Sequence, residues 1–231
     1  MHASIRIAAV ASLFTAAATF AQTAPKYEVS KDIHIGGPGR WDYITVDSTT
    51  HNLYVTRSTH TQVIDSATGK VLADIEGGKG LHGVALMPSV NRAYITDGKA
   101  ATLQVVDLKT NTLLGTIEAA EDADGIIYDA GSDRVLASCG DAGEMLILDP
   151  HADLSAAKVE KVELGGKPEY LAADGKGQAY VCLNDKNTIA VVDLKTKTVT
   201  NRWATGTGTQ ATGLAIDAKM AGCSLAAGTK R

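Results

Sequence analysis

Between Gly165 and Ala204 the chain reads GGKPEYLAADGKGQAYVCLNDKNTIAVVDLKTKTVTNRWA, four short apolar runs set apart by Gly, Asp, Asn and Lys clusters. The runs are Tyr170–Ala173, Ala179–Leu183, Ile189–Val192 and Val199–Trp203. Stretches this short, rich in β-branched residues and bounded by turn formers, predict strands and not helices. Four of them in succession make one antiparallel sheet.

The pattern repeats along the chain. A first copy at 36–76 places strands at Trp41–Val46, Leu53–Thr56, Gln62–Ile64 and Val71–Ile75, and a second at 77–118 aligns with it almost without gaps. The third, 119–164, has an acidic Glu121–Asp124 loop and a longer Asp149–Asp153 turn, and the fourth is 165–204. The Asp that closes each third strand, Asp65, Asp107, Asp149 and Asp193, recurs at intervals of 42, 42 and 44 residues. A four-stranded antiparallel unit of that length has the size of a propeller blade, so the pattern predicts an all-β chain folded as a β-propeller. The recurring aspartates are expected to be turn formers whose side chains bond their own backbone two residues on.

Four complete blades are followed by the start of a fifth at 205–231. It reaches Thr212–Asp217, after which Met220–Gly228 stands where a second strand is expected, with no matching run. Four blades and one strand would leave an open ring with an unpaired edge. That reads as a truncated, frameshifted or fragmentary product of a longer propeller, with a four-bladed closure as the alternative.

At the other end, Met1–Ala21 carries Arg6, an apolar run from Ile7 to Phe20 too short to span a bilayer, and small residues before Gln22. This is the layout of a secretory signal peptide at 1–21, which predicts a periplasmic or secreted protein without a membrane anchor. A buried N-terminal helix is the other reading. The segment 22–35 reads as a lead-in strand, with Tyr27, Val29, Ile33 and Ile35 alternating.

Composition narrows the function. Of 231 residues, 45% are hydrophobic and 21% charged, the balance of a globular chain. The formal net charge of −4 offers no basic footprint for a phosphate backbone, so nucleic acid is not an expected partner. The three cysteines, Cys139, Cys182 and Cys223, show no CxxC spacing. Gly206–Ala211 matches G-x-G-x-x-A but joins two predicted antiparallel strands, so no helix N-terminus is present to hold a pyrophosphate. Gly222-Cys223-Ser224 lacks the glycine and the strand-to-helix turn of a nucleophile elbow. No catalytic residue is assigned.

The second strands read Tyr54-Val55-Thr56-Arg57, Tyr94-Ile95-Thr96-Asp97, Val135-Leu136-Ala137-Ser138 and Tyr180-Val181-Cys182-Leu183-Asn184, each followed by a third strand ending in Asp. This register resembles the YVTN-repeat β-propeller family of secreted YncE-like proteins, over Tyr27 to about Asp217. The resemblance implies a seven-bladed exported propeller without a generally assigned enzymatic activity. Some such proteins are credited with binding DNA or partner proteins.

In a propeller the innermost strand of each blade begins at one mouth of the central channel, so equivalent positions form a ring there. The copies align Asp42, His82, Asp124, Glu169 and Thr212 in that column. Carboxylates sharing a low-dielectric mouth repel unless a cation, an arginine or a proton intervenes, and Arg40 is the nearby arginine. One reading gives Asp42, His82, Asp124 and Glu169 a divalent cation or a cationic ligand. The other is a wet, polar mouth. Trp41 and Tyr43 flank Asp42, Trp41 as a stacking platform and Tyr43 as core. His60 falls in a predicted loop on the same face, either solvated or part of the site, while His34, His51 and His151 receive no role. The expectation is an exported, non-enzymatic binding module that presents its mouth and loops to a protein or small-molecule ligand, with no cofactor beyond that cation. It would be monomeric if the ring closes. A metal-dependent, lactonase-like hydrolase is the first alternative and a DNA-binding propeller the second.

Overall fold

The computed structural model describes residues 28–217 and 222–229; the signal-peptide reading lies outside them. Residues 28–43 form no strand. The lead-in is therefore not a strand over its described residues, for alternation sets faces but a strand also needs a ladder for its backbone groups.

Among the described residues seventeen strands follow, all paired antiparallel to their neighbours. The first blade comprises β1 (Ile44–Val46), β2 (Asn52–Thr56), β3 (Ser58–Asp65) and the first part of β4 (Val71–Met87). The rest of β4 is the inner strand of the second blade, which continues with β5 (Arg92–Asp97), β6 (Thr102–Asp107) and β7 (Thr112–Glu118). Because β4 runs unbroken through Gly77–Gly80, the first two blades share a seven-stranded sheet. The third blade is β8 (Ala123–Asp129), β9 (Arg134–Cys139), β10 (Glu144–Leu148) and β11 (Val159–Glu163). The fourth is β12 (Pro168–Ala173), β13 (Gln178–Leu183), β14 (Thr188–Asp193) and β15 (Thr198–Ala204). Each is a four-stranded sheet in sequence order.

The last sheet corrects an expectation. Gly222–Thr229 is a strand, β17, paired along β16 (Gly208–Asp217), although its sequence does not match the other second strands. Small residues (Ala226, Ala227, Gly228) let it lie against β16 without the Tyr-Val-Thr pattern, since the ladder is made by backbone groups. The ring is not closed.

Period-2 alternation explains the repeat. In β5, Tyr94 packs into the core between the second and third blades while its neighbour Ile95 packs between the first and second. In β9, Leu136 and Ala137 divide in the same way between the next two interfaces. A middle strand buried on both faces must be apolar at consecutive positions, and each buried Val, Leu or Ile contributes about 1.5–3 kcal/mol.

The third residue of the motif has a separate task. The buried hydroxyls of Thr56 and Thr96 donate to the backbone carbonyls of His82 and Asp124 in the next blade, at 2.6 Å each, and Ser138 does the same to Glu169. Thr96 Oγ1 also accepts the Gly83 N–H at 2.8 Å. A hydroxyl on the second strand thus joins its own inner strand to the next one, at the residue that carries the mouth.

The recurring aspartates are turn formers. Asp107 accepts from Lys109 N, Thr110 N and the Thr110 hydroxyl, and Asp193 accepts from Lys195 N and Thr196 N. Asp65 and Asp149 accept from Thr68 N and His151 N.

Candidate functional site at the channel mouth

Two loops reach the mouth by opposite chemistry at equivalent positions. In the first blade, buried Arg57 donates from its guanidinium to the carbonyls of Gly36, Gly37, Pro38 and Gly39 and to Gln62 Oε1. Its fork gathers the loop that leads into Asp42. Gly39 permits this at φ +90°, where an added Cβ would stand 2.5 Å from the Arg57 carbonyl oxygen. In the second blade, Asp97 is the equivalent residue and accepts the Lys79 and Gly80 N–H groups at 2.8 and 2.9 Å, fixing the approach to His82.

These loops bring Asp42, His82 and Asp124 together. Their ligating atoms all lie within 4.8 Å of one another. His82 Nδ1 is 2.7 Å from Asp42 Oδ2 and 3.6 Å from Asp124 Oδ1. The imidazole, and not Arg40, is what stands between the carboxylates: among the described residues Arg40 is exposed and forms no ion pair. The reach of a loop side chain loses here to a residue presented from the neighbouring blade at hydrogen-bond distance.

Glu169 lies outside that cluster of three but shares its field. Burial first, and then the charges of Asp122 and Asp42, hold its carboxyl above the usual range. Asp124 is pushed up to about 7 by burial, with Asp42, Glu169 and Asp122 adding to the rise and His82 opposing it. His82 is raised by its hydrogen bond to Asp42. The mouth therefore holds more negative charge than its one imidazole offsets, in a setting poor in hydrogen-bond donors.

The flanking residues divide. Trp41 is 74% exposed. Tyr43 is half-buried and packs on Tyr170, with ring centroids 5.1 Å apart and planes inclined at 33°. Thr212 is exposed on β16. His60 is neither solvated nor in a loop: it lies in β3, 5% exposed, with Nε2 3.8 Å from Asp74 and Nδ1 3.1 Å from the Thr59 hydroxyl. The pairing of β3 with β4 covers it. His151, given no role from sequence, pairs with Asp133, which also accepts from the Tyr128 hydroxyl, in the turns at the far end of the third blade. Cys139 and Cys182 are buried, and burial pushes the Cys139 thiol up to about 12, which leaves it unreactive.

Sequence reading missed Asp122, whose charge acts on Asp124 and Glu169, and Tyr170, which packs on Tyr43. Alignment of the copies contained a signal for Tyr170, since it occupies the position of Tyr43 one residue after the ring column. Asp122 sits at a loop position with φ +59°, outside the repeated register.

Residues 148–222 match the family described as the Choice-of-anchor I domain. No curated protein sequence matches the chain. Among solved structures the chain is similar to Kuenenia stuttgartiensis hydrazine synthase (TM-score 0.70, 14% identity, 83% of this chain and 56% of that one). A functionally unknown protein from Desulfotomaculum acetoxidans gives TM-score 0.67 and 19% identity over 80% of this chain and 62% of that one. The β-propeller domain of Myceliophteria thermophila Cps50 (Swd1) gives 0.69 and 9%, over 83% and 64%. The chain thus spans less than two thirds of the length of each, and at these identities the likeness establishes the fold.

Proposed function

We propose that the protein is an exported binding propeller that takes a cationic group at its channel mouth. One observation carries the reading: Asp42 and Asp124 converge on His82 from three different blades, with their ligating atoms within 4.8 Å. Carboxylates crowded together in a partly buried site are costly unless a positive charge joins them, and among the described residues the positive group in contact with Asp42 and Asp124 is the His82 imidazole. The match to a Choice-of-anchor I domain supports display at a surface or in a secreted form. The net charge of −4 leaves a nucleic-acid partner without support.

A divalent cation is one such group. Atoms up to 4.8 Å apart can share an ion whose bonds are about 2.0–2.5 Å long, and a mixed imidazole and carboxylate set suits zinc better than calcium. Nδ1 of His82 would have to lose its proton to serve. This supports the second reading, a metal-dependent hydrolase, because three protein ligands leave coordination positions open for water.

Calorimetric titration of chelator-treated protein with zinc, manganese and calcium tests the proposal, with an Asp42→Asn/Asp124→Asn variant as control. Saturable binding by the parent that the variant loses is the expected result. Absence of binding by every inorganic and organic cation tried would overturn it. Metal-dependent hydrolysis of a lactone panel by the parent alone would move the assignment to the hydrolase.

A further inference from the structure

We infer that the ligand of the mouth is an organic ammonium ion with an apolar body, a deepening that rests on the cationic reading above. Directly beside the acidic cluster lies a groove of about 420 Å³ whose lining includes Tyr43, Tyr170, Leu214, Ala215, Leu225 and Ala226. Tyr43 follows Asp42 in the chain and Tyr170 follows Glu169, so the aromatic floor begins where the carboxylates end. The Tyr170 ring also lies against Gly125, the residue after Asp124, where an added Cβ would stand 2.9 Å from its Cδ2.

The two halves of this surface ask for two halves of a ligand. A bare metal ion would use the carboxylates and leave the aliphatic and aromatic lining against water. A wholly apolar ligand would fill the groove and leave the negative charge of Asp42, Asp124, Glu169 and Asp122 without an added partner. An ammonium group on a short hydrocarbon satisfies both, its charge facing the carboxylates and the faces of Tyr43 and Tyr170, its body on Leu214 and Leu225. The volume suits such a molecule, since small-ligand sites run from about 300 Å³ upward. β16 and β17 contribute one wall, so the two-stranded fifth sheet becomes part of the site.

Four probes separate the alternatives by calorimetry: butyltrimethylammonium, its neutral analogue with carbon in place of nitrogen, tetramethylammonium, and zinc chloride. Butyltrimethylammonium is expected to bind about tenfold more tightly than the neutral analogue, as a desolvated cation on aromatic faces and carboxylates should. It is also expected to bind more tightly than tetramethylammonium, which has no body for the groove. Asp124→Asn should remove most of the preference for charge. Ala215→Trp, at an exposed groove position, should remove the advantage of the butyl chain while retaining whatever affinity the parent has for tetramethylammonium, which also shows that the variant is folded. Equal binding of the charged and neutral probes overturns the inference. Zinc binding without ammonium binding overturns it and leaves the cationic reading standing, whereas failure of every charged probe overturns both.

Discussion

Carboxylates near the mouth and carboxylates in the turns at the far end of the blades are the same chemical group in opposite circumstances. Asp107 and Asp193 sit in turns where the N–H of Thr110 or Thr196, foremost, and the residue before it point at the carboxylate, and both are held below the usual range. Asp124 is buried beside Asp42, Glu169 and Asp122 and is driven up to about 7. The difference is not which end of the molecule a residue occupies. Asp185, on the mouth side of the fourth blade, accepts the Lys167 N–H at 2.7 Å and is lowered like the turn aspartates. What separates the two groups is whether the backbone supplies donors. A carboxylate whose own loop satisfies it is structural. One left to face other carboxylates is available to a ligand.

The largest effect is expected where the mouth is tied to the blade interface. Thr96→Val keeps the shape of a side chain that is wholly buried but leaves the Gly83 N–H and the Asp124 carbonyl short of a partner. A loss of about 2 kcal/mol is expected, read as a lower midpoint in urea unfolding. The same change at an exposed turn hydroxyl, Thr110→Val, should cost less, because water replaces the lost partner. Equal costs at the two sites would show that the hydroxyl bridge contributes nothing special.

Next in size is Asp124→Asn. A carboxyl raised in the folded state contributes stability that is complete below its unfolded value near 4 and is lost as pH rises through about 7. His82, also raised, loses its contribution in the same direction as pH rises through its folded value. The metal-free protein should therefore be more stable at pH 5 than at pH 8, and Asp124→Asn should gain on the order of 2 kcal/mol at pH 8 and almost nothing at pH 4. Asp107 supplies the mirror image. Its stability is present above the unfolded value and lost as pH falls through the lowered one, so Asp107→Asn should destabilise near neutrality and have little effect in strong acid. Thermal melts of both variants across pH 3–9 give the two slopes, and slopes of the same sign would dissolve the comparison.

Sequence alone made this contrast half legible. The 42-residue recurrence exposed the blades, because a strand buried on both faces has to be apolar at successive positions and a tight turn has to supply Asp or Gly. The copies also defined the column Asp42, His82, Asp124 and Glu169. They could not reveal that three of its members converge while Glu169 stands apart, since that depends on how the blades pack and not on any one copy. Nor could they show Arg57 spending its charge on the carbonyls of Gly36–Gly39, because backbone partners leave no mark in side-chain identity. The strand β17 went unseen for the same reason: its ladder is made by backbone groups from residues that carry no pattern. His60 misled because its polarity suggested a loop, whereas β4 covers it.

The smallest effect bears most directly on which residue neutralises the mouth. Arg40 and His82 are both near Asp42 in the aligned copies, yet only His82 reaches it, at 2.7 Å. In metal-free protein the His82 ring should titrate above the ordinary histidine value, followed through its side-chain proton resonances. Asp42→Asn removes the largest cause of that rise and should bring the midpoint down. Arg40→Gln should leave it nearly unmoved, since an exposed guanidinium without an ion pair is screened by water and salt. A shift of equal size in both variants would return Arg40 to the site. A midpoint that ignores Asp42→Asn would show that the imidazole does not hold the cluster together, and the negative charge there would then have no internal partner at all.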